Sequence, residues 1–83
     1  MAQRTGTVIC VLVTEDAGFT SVRDVNGVSE GYALWMGQPP TAAERVTHSM
    51  WITLLRESII TGHKVTVTHG DYDARISSVQ LGG

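Results

Sequence analysis

Apolar and polar positions along the 83-residue chain alternate with a period near two towards both ends and with a helical period in the middle. Residues 5–14, TGTVICVLVT, are rich in Thr, Val and Ile and apolar on both faces, the pattern of a strand covered on both sides. EDAG at 15–18 has turn chemistry, with Gly18 available for a positive φ. Residues 19–25 read as a half-exposed second strand, and Asn26-Gly27 is a strong hairpin signal. A third strand within 29–36 puts Tyr32, Leu34 and Met36 on one face and Ala33 and Trp35 on the other. Residues 63–69 alternate cleanly, with Val65 and Val67 inward and Lys64, Thr66 and Thr68 outward. In the last strand the parity shared by Ala74 and Ile76 is lost before Val79 and Leu81, which predicts a β-bulge at Ser77–Ser78.

Between the third and fourth strands the spacing predicts one long helix, about residues 41–61. Pro39 and Pro40 bar helix before it, Thr41 and Glu44 form a Thr-x-x-Glu capping box, and Gly62 is the natural residue to end it. Val46, Met50, Trp51, Ile52, Leu54, Leu55 and Ile59 spread over more than half the circumference, leaving Arg45, Ser49, Thr53 and Arg56 as a narrow polar stripe. A helix lying on one sheet needs an apolar arc of little over about 100°. The excess requires a second cover, either surrounding loops or another subunit. Val46, Met50, Trp51, Ile52, Leu55 and Ile59 are therefore the candidate interface for a homo-oligomer or a protein partner. Met50 falls mid-arc between Val46 and Leu54, where a charge is expected to unfold the domain.

Three strands, a helix and two strands make a single α+β, β-rich domain over residues 1–83. The order β-β-β-α-β-β is that of an OB-like five-stranded antiparallel barrel with its helix between strands three and four. An open antiparallel sheet with one helix packed across it is the alternative. The run Leu54-Leu55, Ser58, Gly62, Val65, Val67, Ile76, Val79 and Leu81 resembles a pattern in small uncharacterised bacterial OB-like proteins. At the level of architecture, a long helix in such a barrel is similar to the B subunits of AB5 toxins. That resemblance implies a carbohydrate-binding oligomer. The single cysteine allows no intrachain disulfide, and MAQRTGTV contains no apolar leader, two departures from those subunits.

Composition narrows the function further. Hydrophobic residues make up 42% and charged residues 17%, so the chain is globular with a weakly charged surface. A net charge of −2 with only six Lys and Arg disfavours nucleic acid, which is held largely by cations on phosphates. No apolar run approaches the roughly 18 residues of a transmembrane helix, so no membrane insertion is expected. A cytoplasmic location follows if the chain is complete, and a secreted or periplasmic one if a signal peptide was removed. Cys10, inside VICVLV, is expected to pack as a small apolar residue.

The chemistry-bearing residues do not assemble into a reaction centre. His63 and His69 bracket one strand and His48 sits on the helix, so no metal site is expected. Ser49, Ser58, Ser77 and Ser78 lack a nucleophile-elbow setting, and the glycines lack phosphate-cradling spacing. No enzymatic activity and no cofactor are expected. The two loops that would rim an OB barrel carry Glu15 and Asp16 in EDAG, and Asp71, Tyr72 and Asp73 in HGDYD. With Trp35 on the third strand they form the candidate ligand-binding set. Carboxylates beside an aromatic suit a neutral sugar and repel phosphate. These residue types are also ordinary in turns. The expected function is thus a non-enzymatic binding or interaction module that self-associates through its helix, with a carbohydrate-binding module as the alternative.

Overall fold

The computed structural model describes residues 2–37 and 41–82, so Pro39 and Pro40 lie outside the described residues. The elements follow the expected order: β1 (Ala2–Val13), β2 (Ala17–Arg23), β3 (Ser29–Met36), α1 (Ala42–Thr61), β4 (Val65–His69) and β5 (Ile76–Leu81). They form one antiparallel sheet in the order β3-β2-β1-β4-β5. β1 starts earlier than its Thr/Val/Ile run and divides its pairing. Ala2–Gly6 pairs with β4, and Thr7–Val13 pairs with β2. One strand thereby joins two hairpins.

Three register shifts coil this sheet. The extra residues are Ile9 in β1, Leu34 in β3 and Ser77 in β5, the last where the parity break predicts it. The sheet stays open, with one helix packed on one face. Its end strands meet at one parallel bridge, Ala33 opposite Arg75, with the Ala33 N–H donating to the Ala74 carbonyl at 2.9 Å. That bridge lies ahead of the first residue of β5, so the bulges bring the ends together without zipping them into a ladder.

α1 is built as its caps dictate. The Thr41 hydroxyl accepts from the Glu44 N–H, the Thr41 N–H donates to Glu44 Oε1, and Gly62 takes φ 77° to close the C-terminus. Those bonds from Thr41 hold the Glu44 carboxyl below its usual range. The helix covers the inner face of the sheet with Leu55 and Ser58 buried and Trp51 and Ile52 packed beside them. Val8, Val22, Tyr32, Leu34, Val65, Val67 and Ile76 complete the core.

Three expectations fail here. Met50 is 62% exposed, as is Val46, so the apolar arc is not centred on Met50. At about 100° per residue, Met50 lies roughly 140° around the helix from Leu55, and the docked side is the one carrying Leu55. The second face of β1 is uncovered, with Cys10 and Leu12 exposed, and Ile9 at the bulge is exposed as well. The helix packs on one side of the sheet, and no described element crosses the other. Gly18 is not a positive-φ residue. It lies within β2, where a Cβ would sit 2.6 Å from the Trp35 ring, so its role is to let that ring approach.

Ser58 ties three elements together. Its hydroxyl donates to the His63 carbonyl at 2.6 Å and accepts from the Val8 N–H at 3.2 Å, next to the β1 bulge. Ser58→Ala leaves the Val8 N–H buried without a partner, and a loss of about 1–3 kcal/mol is expected. Urea unfolding measures it; an unchanged midpoint would show that water takes the place of the hydroxyl.

Candidate functional site

A concavity runs along one flank of α1. It is a groove of about 540 Å³ lined by Arg45, His48, Ser49, Ile52, Thr53 and Arg56 of the helix, by Thr14 and Glu15 of the β1–β2 turn, and by Trp35 of β3. The turn wall is shaped by Thr14, whose hydroxyl donates to the Ala17 carbonyl and accepts from the Asp16 and Ala17 N–H groups. Trp35 is held between Gly18 and His48, whose ring stacks on it at 4.4 Å between centroids with planes 11° apart. His48 also meets Trp51 at 5.5 Å. These contacts pin α1 to β3 and make His48 a packing residue.

Glu15 and Trp35 from the expected ligand set thus line one groove. Asp16, Asp71, Tyr72 and Asp73 do not line it. In the β4–β5 loop, Asp73 acts as a turn residue, its carboxylate accepting from the Arg75 N–H at 2.9 Å. His69 Nδ1 lies 2.8 Å from the Gly70 carbonyl and 3.0 Å from the Asp73 carbonyl, so this nitrogen carries the proton and holds the loop closed. Tyr72 stands fully in solvent at 104% exposure.

Of the expected interface, Val46 and Met50 are open to solvent, and Ile59 is 46% exposed. Trp51 and Ile52 are partly buried against the core, and Leu55, at 0% exposure, belongs to it. A second open apolar surface lies on the outer face of β1, β2 and β3, where Cys10, Leu12, Phe19, Ala33 and Met36 line a depression of about 450 Å³. Among the described residues no cluster of three or more metal-ligating side chains forms. No described helix is long and apolar enough to cross a membrane.

One charged constellation was not visible in the sequence. Arg4, inside β1, forms ion pairs with Asp24 of the hairpin turn at 2.6 Å and with Glu30 of β3 at 2.5 Å. Tyr32 donates to the same Glu30 at 2.9 Å, and burial, followed by this bond, pushes its phenol above the ordinary range. The Asp24 carboxylate also accepts from the Asn26 and Val28 N–H groups, so one side chain shapes the turn and anchors Arg4. Aspartate two residues before Asn-Gly is the only local hint of this role. The cluster braces the hairpin against β1 and has every carboxylate engaged, which gives it a structural character. Neither a family model nor a curated protein matches the chain.

Proposed function

We propose that this domain is a non-enzymatic interaction module that self-associates through the outward side of α1. The observation that carries the reading is the exposure of Val46 and Met50, 62% each, one helical turn apart on a helix whose core contacts lie elsewhere. With half-buried Leu54 they form an i, i+4, i+8 ridge, the element that packs into the groove of a facing helix. Ser49 and Thr53 beside the ridge are small enough to receive such a ridge from a second copy. So short a chain gains apolar burial most readily by association. The open outer face of β1–β3 adds apolar area that a partner can cover.

The sheet is read in the same proposal as a partly open OB-like barrel, because the order β3-β2-β1-β4-β5 with its ends touching at Ala33 and Arg75 suits a partly open Greek-key arrangement. The non-enzymatic part rests on occupancy. Ser58 is used as a structural bridge, and His48 and His69 are engaged in stacking and loop closure.

Sedimentation velocity at micromolar to millimolar concentration tests the reading. The parent chain is expected to sediment as a dimer or larger species. Met50→Glu is expected to sediment as a monomer with an unchanged circular dichroism spectrum. A monomeric parent chain, or a variant that associates as tightly as the parent, refutes it.

A further inference from the structure

We infer that the groove between α1 and the β1–β2 turn binds a small organic dianion whose two oxyanions are separated by a short carbon skeleton. This goes beyond self-association: Ser49 and Thr53 border both surfaces, and the ligand contacts that define this site are those of Arg45 and Arg56. Arg45 and Arg56 stand on a different flank of the helix from the Val46–Met50 ridge, since adjacent residues differ by about 100°.

Size comes first. A groove of about 540 Å³ falls within the roughly 300–1,000 Å³ typical of small-molecule sites. The balance of donors and acceptors then selects the ligand. Thr14 has its hydroxyl committed within its own turn, and Thr53 donates to the Ser49 carbonyl. Among the described residues, Ser49 retains a hydroxyl without a protein partner, and neither Arg45 nor Arg56 pairs with a carboxylate. Arg4 of the same chain, by contrast, engages two. The groove therefore offers two guanidinium forks and a hydroxyl against a single carboxylate, Glu15. A neutral sugar needs acceptors as well as donors, whereas a carboxylate or phosphate needs donors alone. Guanidinium is the side chain whose planar fork matches either oxyanion in a bidentate way.

Spacing sets the number of charges. Arg45 and Arg56 are eleven residues apart on α1, about 16 Å along the axis, and they line opposite ends of the groove. One compact anion engages both forks only when both side chains extend fully towards each other. Two oxyanions reached from the two ends engage them without that extension, and the apolar floor of Ile52 and the Trp35 edge lies between for the carbon skeleton. Because Trp35 is already held between Gly18 and His48, it supplies a wall and not a stacking platform.

Backbone amide NMR with glutarate and with fructose bisphosphate as probes tests the assignment, with acetate and inorganic phosphate as single-anion controls. Saturable shifts confined to residues 14–15, 35 and 45–56 are expected, and the controls should bind at least about 10-fold more weakly. Arg45→Gln and Arg56→Gln are each expected to weaken binding by about 10-fold or more while the melting curve stays that of the parent. Saturation by glutarate alone identifies a dicarboxylate, and saturation by fructose bisphosphate alone identifies a phosphorylated ligand; either result supports the site. Linear shifts with both probes, equal binding of the single anions, or undiminished binding in the doubly substituted chain overturns it. None of these outcomes bears on the sedimentation of Met50→Glu, so the two proposals stand or fall separately.

Discussion

Gly6→Ala is expected to unfold the domain, or to leave it folded only at low denaturant. A Cβ at this position would lie 2.1 Å from the Arg23 carbonyl oxygen, 2.7 Å from its carbon and 3.0 Å from the Asp24 Cα. All three are backbone atoms, so no side chain can swing aside. Gly6 is the last β1 residue paired with β4, and its neighbour Thr7 is the first paired with β2, opposite Arg23. The close approach therefore sits where the strand changes partners, beside the Arg4–Asp24 ion pair that braces the hairpin. Overpacking where side chains can yield costs about 1–3 kcal/mol. Here the hairpin itself has to move, and both the β1–β2 register and the Arg4 contacts move with it. Against a total stability of about 5–15 kcal/mol, that loss is decisive. Thermal and urea unfolding followed by far-ultraviolet circular dichroism measures it. A parent-like midpoint for Gly6→Ala would mean that β1 and the hairpin end are not in this contact.

Local signals carried much of the fold. The ends of α1 were legible because the capping box and Gly62 act through neighbours in sequence, and Thr41, Glu44 and Gly62 make those bonds. The β5 bulge was legible because a parity break is itself local, and Ser77 is the residue that breaks the register. Features requiring long-range knowledge were not. The apolar positions of α1 cover so much of its circumference that periodicity selects no unique docking direction, and the arc's midpoint at Met50 differs from the docked side at Leu55. β1 is apolar on both sides, and nothing in its sequence says which side goes uncovered. The groove shows the same limit. Arg45, Ser49, Thr53 and Arg56 were visible as a polar stripe, but only the tertiary structure sets Glu15 and Trp35 across from them. Gly18 has the look of a turn glycine in the sequence, because the ring it accommodates comes from a residue seventeen positions away.

Leu55→Ala is expected to destabilise the domain by about 2–5 kcal/mol, the range for removing a buried leucine and leaving a partly relaxed cavity. Leu55 is fully buried and belongs to the same core cluster as Val22, Val65 and Val67. Truncation there opens a cavity in the layer between the helix and the sheet, where α1 meets β1, β4 and β5. Met50→Ala provides the contrast, since both residues are large, apolar and on the same helix. In a single chain Met50 is mostly in solvent, where substitutions usually change stability by no more than about 0.5 kcal/mol. If Met50 lies in a contact between copies, its truncation also weakens association, and that part of the effect fades on dilution. The loss at Leu55 persists at every protein concentration, because it arises within one chain. Urea midpoints measured over a hundredfold range of concentration therefore separate core from interface. A concentration-independent loss larger at Met50 than at Leu55 would require α1 to be turned by roughly 140° about its axis. The Trp35–His48 stack and the Ser58 bridge, both fixed to the same helix face as Leu55, would then have to break as well.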